Sequence, residues 1–221
     1  MLKVNDKMGK EYKHLDDLIK RYPILEVCHK DIVSAYEILE NCYQSGNKLL
    51  VAGNGGSAAD ALHIVGELMK AFVLPRKLSC ELCDSIDKHC EHADYLKDNL
   101  QRALPAIALV GEIGLTTAYS NDVASDLVFA QQVLGYGNVG DVFLGISTSG
   151  NSQNIIYAAE VAKAKGMYVI GLTGKKGGNL ADICDVCVKV PEVETYKVQE
   201  LHLPVYHALC LEIEKIVDEE L

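Results

Sequence analysis

Residues 49–69 read LLVAGNGGSAADALHIVGELM, an apolar run followed by a glycine-rich turn and a helical pattern. After the glycines, apolar residues recur at helical spacing: Leu62, Val65 and Met69. Ser57 and Asp60 have the spacing of a capping box, which predicts that a helix begins beside the glycines. The pattern therefore predicts a strand, a tight turn and the start of a helix.

The start of such a helix is a site for an anion. Backbone N–H groups and the positive end of the helix dipole favour a bound phosphate there. His63 and Glu67 are four residues apart, so they lie on one face of the predicted helix, about two turns from its start. The sequence thus predicts a phosphate site next to a metal-ligand or acid–base pair.

The glycines also fit part of the dinucleotide-binding pattern, with Gly53, Gly55 and Ala58 in the expected places. That pattern requires an acidic residue at the end of a second strand about 20 residues on, and the sequence after Met69 shows no such strand. A Walker loop is excluded because no Gly-Lys-Ser/Thr follows. An ordinary strand-to-helix turn is the remaining alternative.

The composition is that of one folded domain. The chain has 221 residues, of which 49% are hydrophobic and 24% charged, enough for a sizeable core. The net charge of −10 argues against DNA or RNA as a partner, because such a site needs a basic surface. The polar amino terminus predicts no signal peptide, and no apolar run is long enough for a membrane span. Eight cysteines in this context predict reduced thiols in the cytoplasm.

Two regions precede and follow the glycine-rich segment. An amphipathic helix is predicted from about Pro23 to Tyr43, within an N-terminal helical region of about residues 1–45. Between about residues 75 and 101 the sequence is polar and rich in cysteine. Four residues there resemble a compact zinc knot: Cys80, Cys83, His89 and His92. Because the loop is short for such a site, a solvated helical insert is the preferred interpretation.

Strands and helices alternate in the second half of the chain, which predicts a three-layer αβα sandwich with a parallel sheet. The predicted strands are Ala106–Val110, Val142–Ile146, Tyr168–Thr173 and Ile183–Val190. The segment Thr116–Asp122 ends in Asn-Asp, a polar pair that suits a turn or a sugar hydroxyl. Cys184 and Cys187 fall on the last of these strands. Residues three apart on a strand face opposite sides, so a redox or zinc site is disfavoured there.

A second phosphate-type turn follows the predicted strand at 142–146. It reads Ser147, Thr148, Ser149, Gly150, Asn151, Ser152. Clustered hydroxyl and backbone N–H groups can surround a phosphate without Lys or Arg. Ligands of parallel sheets bind where the strands end, so both turns are expected to lie at one site.

The last segment, Thr195–Val217, has a helical pattern and contains Gln199, His202 and His207 around Pro204. The spacing alone does not decide which histidine is functional. On a straight helix, residues 199 and 207 are about 12 Å apart. They can share an ion only if their side chains lean together, if Pro204 bends the helix, or if they come from different subunits.

Four motifs, in this order, resemble the SIS family of phosphosugar-binding domains and, within it, the phosphoheptose isomerases. They are GNGGS at 53–57, GISTSGNS at 145–152, LTGKKGG at 172–178 and VQELHLPVYH at 198–207. The resemblance implies one SIS domain over residues 1–221, a flavodoxin-like αβα sandwich with long helices at both ends. It also implies a homotetramer with active sites at subunit interfaces.

The resemblance assigns roles to individual residues. Glu67 and His207 match catalytic positions, and together with His63 and Gln199 they match positions that bind zinc in some members. Gly66 stands where the family commonly has an acidic residue. The family's phosphate and substrate positions are matched by Asn54, Gly55, Gly56, Ser57, Asp122, Ser147, Thr148, Ser149, Ser152 and Gln199.

The activity implied by the resemblance is the isomerisation of sedoheptulose 7-phosphate to D-glycero-D-manno-heptose 7-phosphate through an enediol. We expect Glu67 to be the base and His207 the acid, with zinc, where bound, polarising the sugar oxygens. Two alternatives stay open: an isomerase of another phosphosugar, and a non-catalytic SIS protein of the kind that binds the bacterial replication initiator. Such non-catalytic relatives lack the Glu and the final His, which this chain has.

Overall fold

The computed structural model describes residues 12–218, without the side chain of residue 218, so the predicted helical region of residues 1–45 begins outside the described part. Its centre is a five-stranded sheet in which all neighbouring strands are parallel, in the order β2-β1-β3-β4-β5. The strands are β1 (Leu49–Gly53), β2 (Ala106–Ala108), β3 (Val142–Ser147), β4 (Tyr168–Thr173) and β5 (Val186–Lys189). The predicted parallel sheet is confirmed.

The central strands β1 and β3 are buried along their whole length, as expected for apolar runs covered on both faces. The two edge strands are shorter than predicted. β2 ends at Ala108 because residues 109–111 turn into a 3-10 helix, and β5 begins only at Val186 because a 3-10 turn occupies residues 179–182. The strand type was therefore predicted correctly, and the edge boundaries were not.

Helices cover both faces of the sheet. They are α1 (Lys13–Arg21), α2 (His29–Gln44), α3 (Gly56–Met69), α4 (Cys80–His89), α5 (Ala93–Asn99), α6 (Ile113–Asp122), α7 (Val128–Tyr136), α8 (Gln153–Ala164) and α9 (Thr195–Asp218). α1, α2, α3 and α9 pack with Val51 and Leu144 on one face, while α7 and α8 pack with Leu50 and Phe143 on the other. Successive strand residues point to opposite faces, which produces the predicted three layers. No helix within residues 12–218 has the length and apolarity to cross a membrane.

Helix α3 forms where the sequence predicts it, but it buries a different face. Ala61, Ile64 and Leu68 are buried, whereas Leu62 and Met69 are 53% and 46% exposed. The predicted apolar face is wrong because α3 packs on the sheet through a stripe that begins with a small alanine. Leu62 and Met69 are left as apolar surface beside the predicted catalytic residues.

The polar segment between about residues 75 and 101 folds as α4 and α5, as the preferred interpretation expected. Its ends are joined at the base, where the N–H of Arg102 donates to the carbonyl oxygen of Arg76 at 2.9 Å. The imidazole of His89 contacts the Ser85 carbonyl at 2.9 Å. Within residues 12–218 the structure contains no group of three or more His, Cys, Asp or Glu side chains placed to hold a metal, so it gives no support to a zinc knot.

Asn121 and Asp122, a pair that suits a turn or a sugar hydroxyl, do not form a turn, because they are the last two residues of α6. The hydroxyl of Thr117 donates to the Ile113 carbonyl at 2.8 Å, one helical turn back. A polar side chain that bonds to its own helix is compatible with helical structure, which a count of polar residues does not reveal.

Candidate active site

The first turn, residues 53–57, will be called loop 1. Gly55 has φ +57°, a conformation that favours glycine, and α3 begins directly after it at Gly56. The predicted capping box is wrong, because Ser57 lies inside the helix and the N-cap residue, Gly55, has no side chain that could cap its start. Asp60 instead accepts a hydrogen bond from the Tyr206 hydroxyl at 3.3 Å. Loop 1 thus leaves the helix start without a capping side chain.

The second turn, residues 147–152, will be called loop 2. The hydroxyl oxygens of Ser147 and Ser152 are 3.0 Å apart, so the two ends of the loop are tied together. Ser149 is exposed, and its hydroxyl oxygen accepts the N–H of Asn151 at 3.1 Å. Thr148 is half-buried between them. α8 follows loop 2, again with no side-chain cap.

Loops 1 and 2 lie side by side. Gly53 pairs with Ile146 in the sheet, so β1 and β3 end next to each other. The side-chain amides of Asn54 and Asn154 form two reciprocal hydrogen bonds of 2.9 Å, which join loop 1 to the start of α8. Two uncapped helix starts therefore meet at one edge of the sheet, as an anion site requires.

A third segment supports loop 2 from behind. Residues 174–182, which will be called the brace, follow β4. Gly174 donates its N–H to the Thr148 carbonyl at 3.0 Å, and Leu180 donates to the Gly150 carbonyl at 2.9 Å. Gly150 has φ +67°, and a Cβ there would collide with the Gly177 backbone. The close approach explains the glycines of the LTGKKGG motif.

The predicted pair on α3 is present. Nε2 of His63 lies 3.2 Å from Oε1 of Glu67, and Lys70 Nζ lies 3.1 Å from the other carboxylate oxygen. Nδ1 of His63 is 3.0 Å from the Tyr206 hydroxyl, which in turn donates to Asp60. A chain of polar contacts thus fixes the His63 ring and directs Nε2 toward Glu67.

His207 on α9 completes this group. Its ring centroid lies 4.9 Å from that of His63 and 5.0 Å from that of Tyr206, edge to face in both cases. Burial, together with the neighbouring His63, lowers the pKa of His207, which favours the neutral imidazole. Nε2 of His207 is buried without a hydrogen-bond partner among the described residues. Because the sequence predicts catalytic roles for Glu67 and His207, these two residues and His63 will be called the catalytic group.

The structure distinguishes the two histidines of α9. His202 is 0% exposed, and burial lowers its pKa to about 4, an effect that the Thr173 backbone partly opposes. It is a neutral core residue. His207, one and a half turns further on, is the histidine that reaches α3.

Gln199 does not join the catalytic group. It lies against the start of α3, where a Cβ on Gly56 would be 2.6 Å from its Nε2. α3 and α9 therefore run side by side in the same direction, with Gln199 at loop 1 and His207 two turns along at His63. The four predicted zinc ligands form a line rather than a cluster.

Zinc takes four ligands in a compact tetrahedron. Of the predicted set, one chain brings His63 and Glu67 to a distance that suits two ligands of one ion, and Gln199 is at the other end of the line. No set of three acidic, histidine or cysteine donors is assembled in the described part of the chain. The four predicted ligands of a single chain thus do not surround one ion, and zinc binding stays a prediction.

Asp122 has no described hydrogen bond to the catalytic group. It is the exposed last residue of α6, and its carboxylate accepts a hydrogen bond from Asn121 at 2.8 Å. α6 packs against residues 125–127 and α7. The structure gives Asp122 no contact with loop 1 or loop 2 among its described hydrogen bonds.

Sequence reasoning missed a clamp at the end of α3. Arg76 donates from Nη2 to the Glu67 carbonyl and from Nη1 to the Leu68 carbonyl, both at 2.7 Å. Its Nε lies 3.2 Å from Oε1 of Glu214, and both side chains are at least 97% buried. Glu214 also accepts the N–H groups of residues 72, 73 and 74. The clamp holds the backbone that carries Glu67.

Other missed residues left weak signals. Asp60 precedes His63 and Glu67 by three and seven positions, a helical spacing that places all three on one face. Asn154 and Tyr206 adjoin predicted site residues but carry no pattern that identifies their partners. A search for polar residues at helical spacing from His63 finds Asp60 and Lys70 in addition to Glu67.

Comparisons with known proteins agree with this geometry. A model of the SIS domain matches residues 99–174. Phosphoheptose isomerase from Aneurinibacillus thermoaerophilus is 42% identical over 175 residues, covering 79% of this chain and 76% of that protein. Phosphoheptose isomerase 2 from Campylobacter jejuni is 41% identical over 179 residues, covering 81% and 75%.

Solved structures give the same result. A phosphoheptose isomerase from Francisella tularensis has a TM-score of 0.74 at 31% identity, and that from Neisseria gonorrhoeae has 0.71 at 33%. Each comparison covers 91% of this chain and 95% of the other. Sequence identity and fold agree: the chain belongs to the phosphoheptose isomerase family of SIS-domain proteins.

Proposed function

We propose that this protein is a phosphosugar isomerase that converts sedoheptulose 7-phosphate to D-glycero-D-manno-heptose 7-phosphate. The observation that carries the proposal is the arrangement along α3. An uncapped start faces loop 2, and His63, Glu67 and His207 follow two turns further on. The membership of the phosphoheptose isomerase family supports the same substrate.

The phosphate is proposed to bind between loops 1 and 2. Backbone N–H groups, helix dipoles and the hydroxyls of Ser57, Ser147, Ser149 and Ser152 supply the donors, with Thr148 beside them. Asn54 and Gln199 border the site at the start of α3. A phosphate fixed here directs the sugar along α3 toward the catalytic group.

The reaction moves a proton between C1 and C2. Glu67 removes a proton from C1 of the ketose while His207 donates one to the oxygen at C2, which forms the enediol. His207 then takes the proton from the oxygen at C1, and Glu67 returns its proton to C2. The lowered pKa of His207 suits a neutral imidazole that donates its N–H and recovers it.

We also propose that the site is completed by a second copy of the chain, in a homotetramer. The exposed Leu62 and Met69 flank His63 and Glu67 on α3 and support an apolar contact there. Zinc binding, and any role for Asp122, is proposed only with donors or surfaces from that second copy. Light scattering and metal analysis of the purified protein test both points, and a cytoplasmic location stays a prediction of the sequence.

Incubation with sedoheptulose 7-phosphate in D₂O tests the function. We expect the aldose to form and to carry deuterium at C2, because Glu67 exchanges its proton with solvent during the enediol step. Fructose 6-phosphate serves as the shorter comparison. Turnover of the shorter sugar alone would contradict the substrate, and phosphosugar binding without exchange would contradict catalysis.

A further inference from the structure

Two cysteines lie together where the brace ends and β5 begins. The expectation that Cys184 and Cys187 face opposite sides of one strand is wrong, because β5 starts at Val186 and Cys184 precedes it. Gly171 pairs with Cys187 in the sheet, and a Cβ on Gly171 would lie 2.8 Å from Sγ of Cys184 and 3.2 Å from Sγ of Cys187. The two thiols therefore converge over a glycine.

The two thiols differ in acidity. A hydrogen bond from the Cys184 thiol lowers the pKa of Cys187 to about 7, and the Thr173 hydroxyl, 3.5 Å from Sγ, acts in the same direction. The same thiol–thiol contact raises the pKa of Cys184. Both side chains are partly exposed to solvent. Burial raises the pKa of three other thiols to about 11 or 12: Cys28, Cys42 and Cys210.

A reactive thiol beside a second thiol is the arrangement of a reversible oxidation site. We propose that Cys187 and Cys184 form a disulfide when the protein meets a small hydroperoxide. Cytoplasmic disulfides of this kind are transient, in keeping with the reduced cysteines that the composition predicts.

The chemistry balances with hydrogen peroxide as the oxidant. The thiolate sulfur of Cys187 attacks one peroxide oxygen, the O–O bond breaks, and the departing hydroxide takes a proton and leaves as water. Cys187 is then a sulfenic acid. The Cys184 thiolate attacks that sulfur, forms the S–S bond and displaces hydroxide, which leaves as a second water. Two thiols lose two electrons, and the peroxide gains them.

The dithiol is connected to loop 2 by the brace. Cys184 donates its N–H to the Leu180 carbonyl at 3.2 Å, and Leu180 donates to the Gly150 carbonyl at 2.9 Å. An S–S bond of about 2 Å brings the sulfurs closer than two hydrogen-bonded thiols, so the end of the brace must move. We expect oxidation to weaken phosphate binding, a consequence that rests on the proposed function of loop 2.

Peptide mapping of the full chain tests the disulfide. Trypsin cleaves after Lys176 and Lys189, which leaves both cysteines in one peptide, GGNLADICDVCVK. After limited peroxide and alkylation, this peptide should be lighter by two hydrogen atoms and unalkylated, and dithiothreitol should reverse the change. If Cys80, Cys83 or Cys90 oxidises while this peptide stays alkylated, the proposal fails.

Variants assign the roles of the two sulfurs. Cys184→Ser removes the second thiol, so Cys187 should be trapped by dimedone as a sulfenic acid, whereas Cys187→Ser should not react. A Cys80→Ser/Cys83→Ser/Cys90→Ser variant is the matched control and should form the disulfide normally. Equal dimedone labelling of Cys184 in the Cys187→Ser variant would overturn the assignment.

Calorimetry with inorganic phosphate tests the connection to loop 2. The oxidised protein should bind about fivefold or more weakly than the reduced protein, the lower end of usual coupling between sites. Equal affinities would overturn the coupling and leave the disulfide standing. Turnover of sedoheptulose 7-phosphate by the reduced protein is measured separately, so its absence would count against the proposed function alone.

Discussion

Loops 1 and 2 are positioned by backbone and amide contacts at the edge of the sheet, whereas His63, Glu67 and His207 are positioned by side chains between two helices. The loops are joined within one chain by the Asn54–Asn154 pair and supported by the brace. In the catalytic group, Nε2 of His207 has no hydrogen-bond partner within residues 12–218. Phosphate binding thus depends on the backbone fold, whereas proton transfer depends on a few side-chain contacts. Changes at loops 1 and 2 should therefore alter KM, and changes at the catalytic group should alter kcat.

The largest expected effect is at the catalytic group. Glu67→Gln and His207→Asn should each lower kcat by roughly 10² to 10⁴, because each removes a proton-transfer group. KM should change little, since the phosphate is held elsewhere. Steady-state kinetics with sedoheptulose 7-phosphate measures both constants. His89→Asn, an exposed histidine in the insert, is the control, and normal turnover by either catalytic variant would refute the assignment.

A substitution in the clamp tests how much the contact between Arg76 and Glu214, at the end of α3, contributes to stability. Arg76→Met leaves the carboxylate of Glu214 buried without its cation, which should lower the free energy of unfolding by about 3 to 5 kcal/mol. Urea denaturation measures the change. Lys77→Met alters the exposed neighbouring cation and should cost little. A loss below about 1 kcal/mol for Arg76→Met would mean that the pair carries no net stability.

A pH series tests the burial of His202 in α9, the helix that reaches from loop 1 to the catalytic group. The pKa of His202 is about 4 in the folded chain and 6.5 in its ordinary state, so the unfolded chain binds the extra proton between these values. The contribution of neutral His202 to the free energy of unfolding should therefore be complete above pH 6.5. It should fall by about 3 kcal/mol as the pH drops to 4. His202→Gln should remove this part of the pH dependence. Parallel curves for both proteins would contradict a buried neutral His202.

Substitution of Asn54 or Asn154 tests how the amide pair supports phosphate binding at loops 1 and 2. Asn54→Ala or Asn154→Ala breaks both reciprocal bonds, and each should raise KM by about 5- to 10-fold, the value of one or two hydrogen bonds, with kcat nearly unchanged. The double variant should cost little more than either single one, because the residues act as a pair. Asn99→Ala is a surface amide control. Additive effects would show that the pair does not act as a unit.

The smallest expected effect is a gain in stability. Gly66 lies exposed within α3, and apart from its chain neighbours and the nearby helix backbone no described atom lies within 4 Å of an added Cβ. Gly66→Ala should therefore stabilise the protein by about 0.5 to 1 kcal/mol. Gly150→Ala is the contrast, because its positive φ and the Gly177 carbonyl leave no room for a methyl group. Thermal denaturation should therefore move in opposite directions for the two variants.

Local patterns predicted the parts of the fold that are built locally. The strand, turn and helix from Leu49 to Met69 follow from an apolar run, glycines and a change of period, and loop 2 follows from its hydroxyl-rich composition. The capping box was wrong because Gly55, with its positive φ, makes the turn and moves Ser57 into the helix. A serine and an acidic residue three apart do not reveal which residue ends the turn.

Contacts between distant parts of the chain were not predictable. The Asn54–Asn154, His63–Tyr206 and Arg76–Glu214 contacts each join residues at least 100 positions apart. Their residue types fit many partners, and helical spacing says nothing about which helix packs beside another. The cysteine pair was missed for a smaller reason: β5 begins three residues later than its apolar run suggested.

The hydrogen bond between Arg102 and Arg76 gives the insert a closed base. A segment whose two ends already meet is a side branch of the domain, and the entropy of closing it grows only slowly with its length. This branch can lengthen, shorten or change its composition without altering the path of the sheet. Directly after α3, the fold therefore has a place where new surface can be added at small thermodynamic cost.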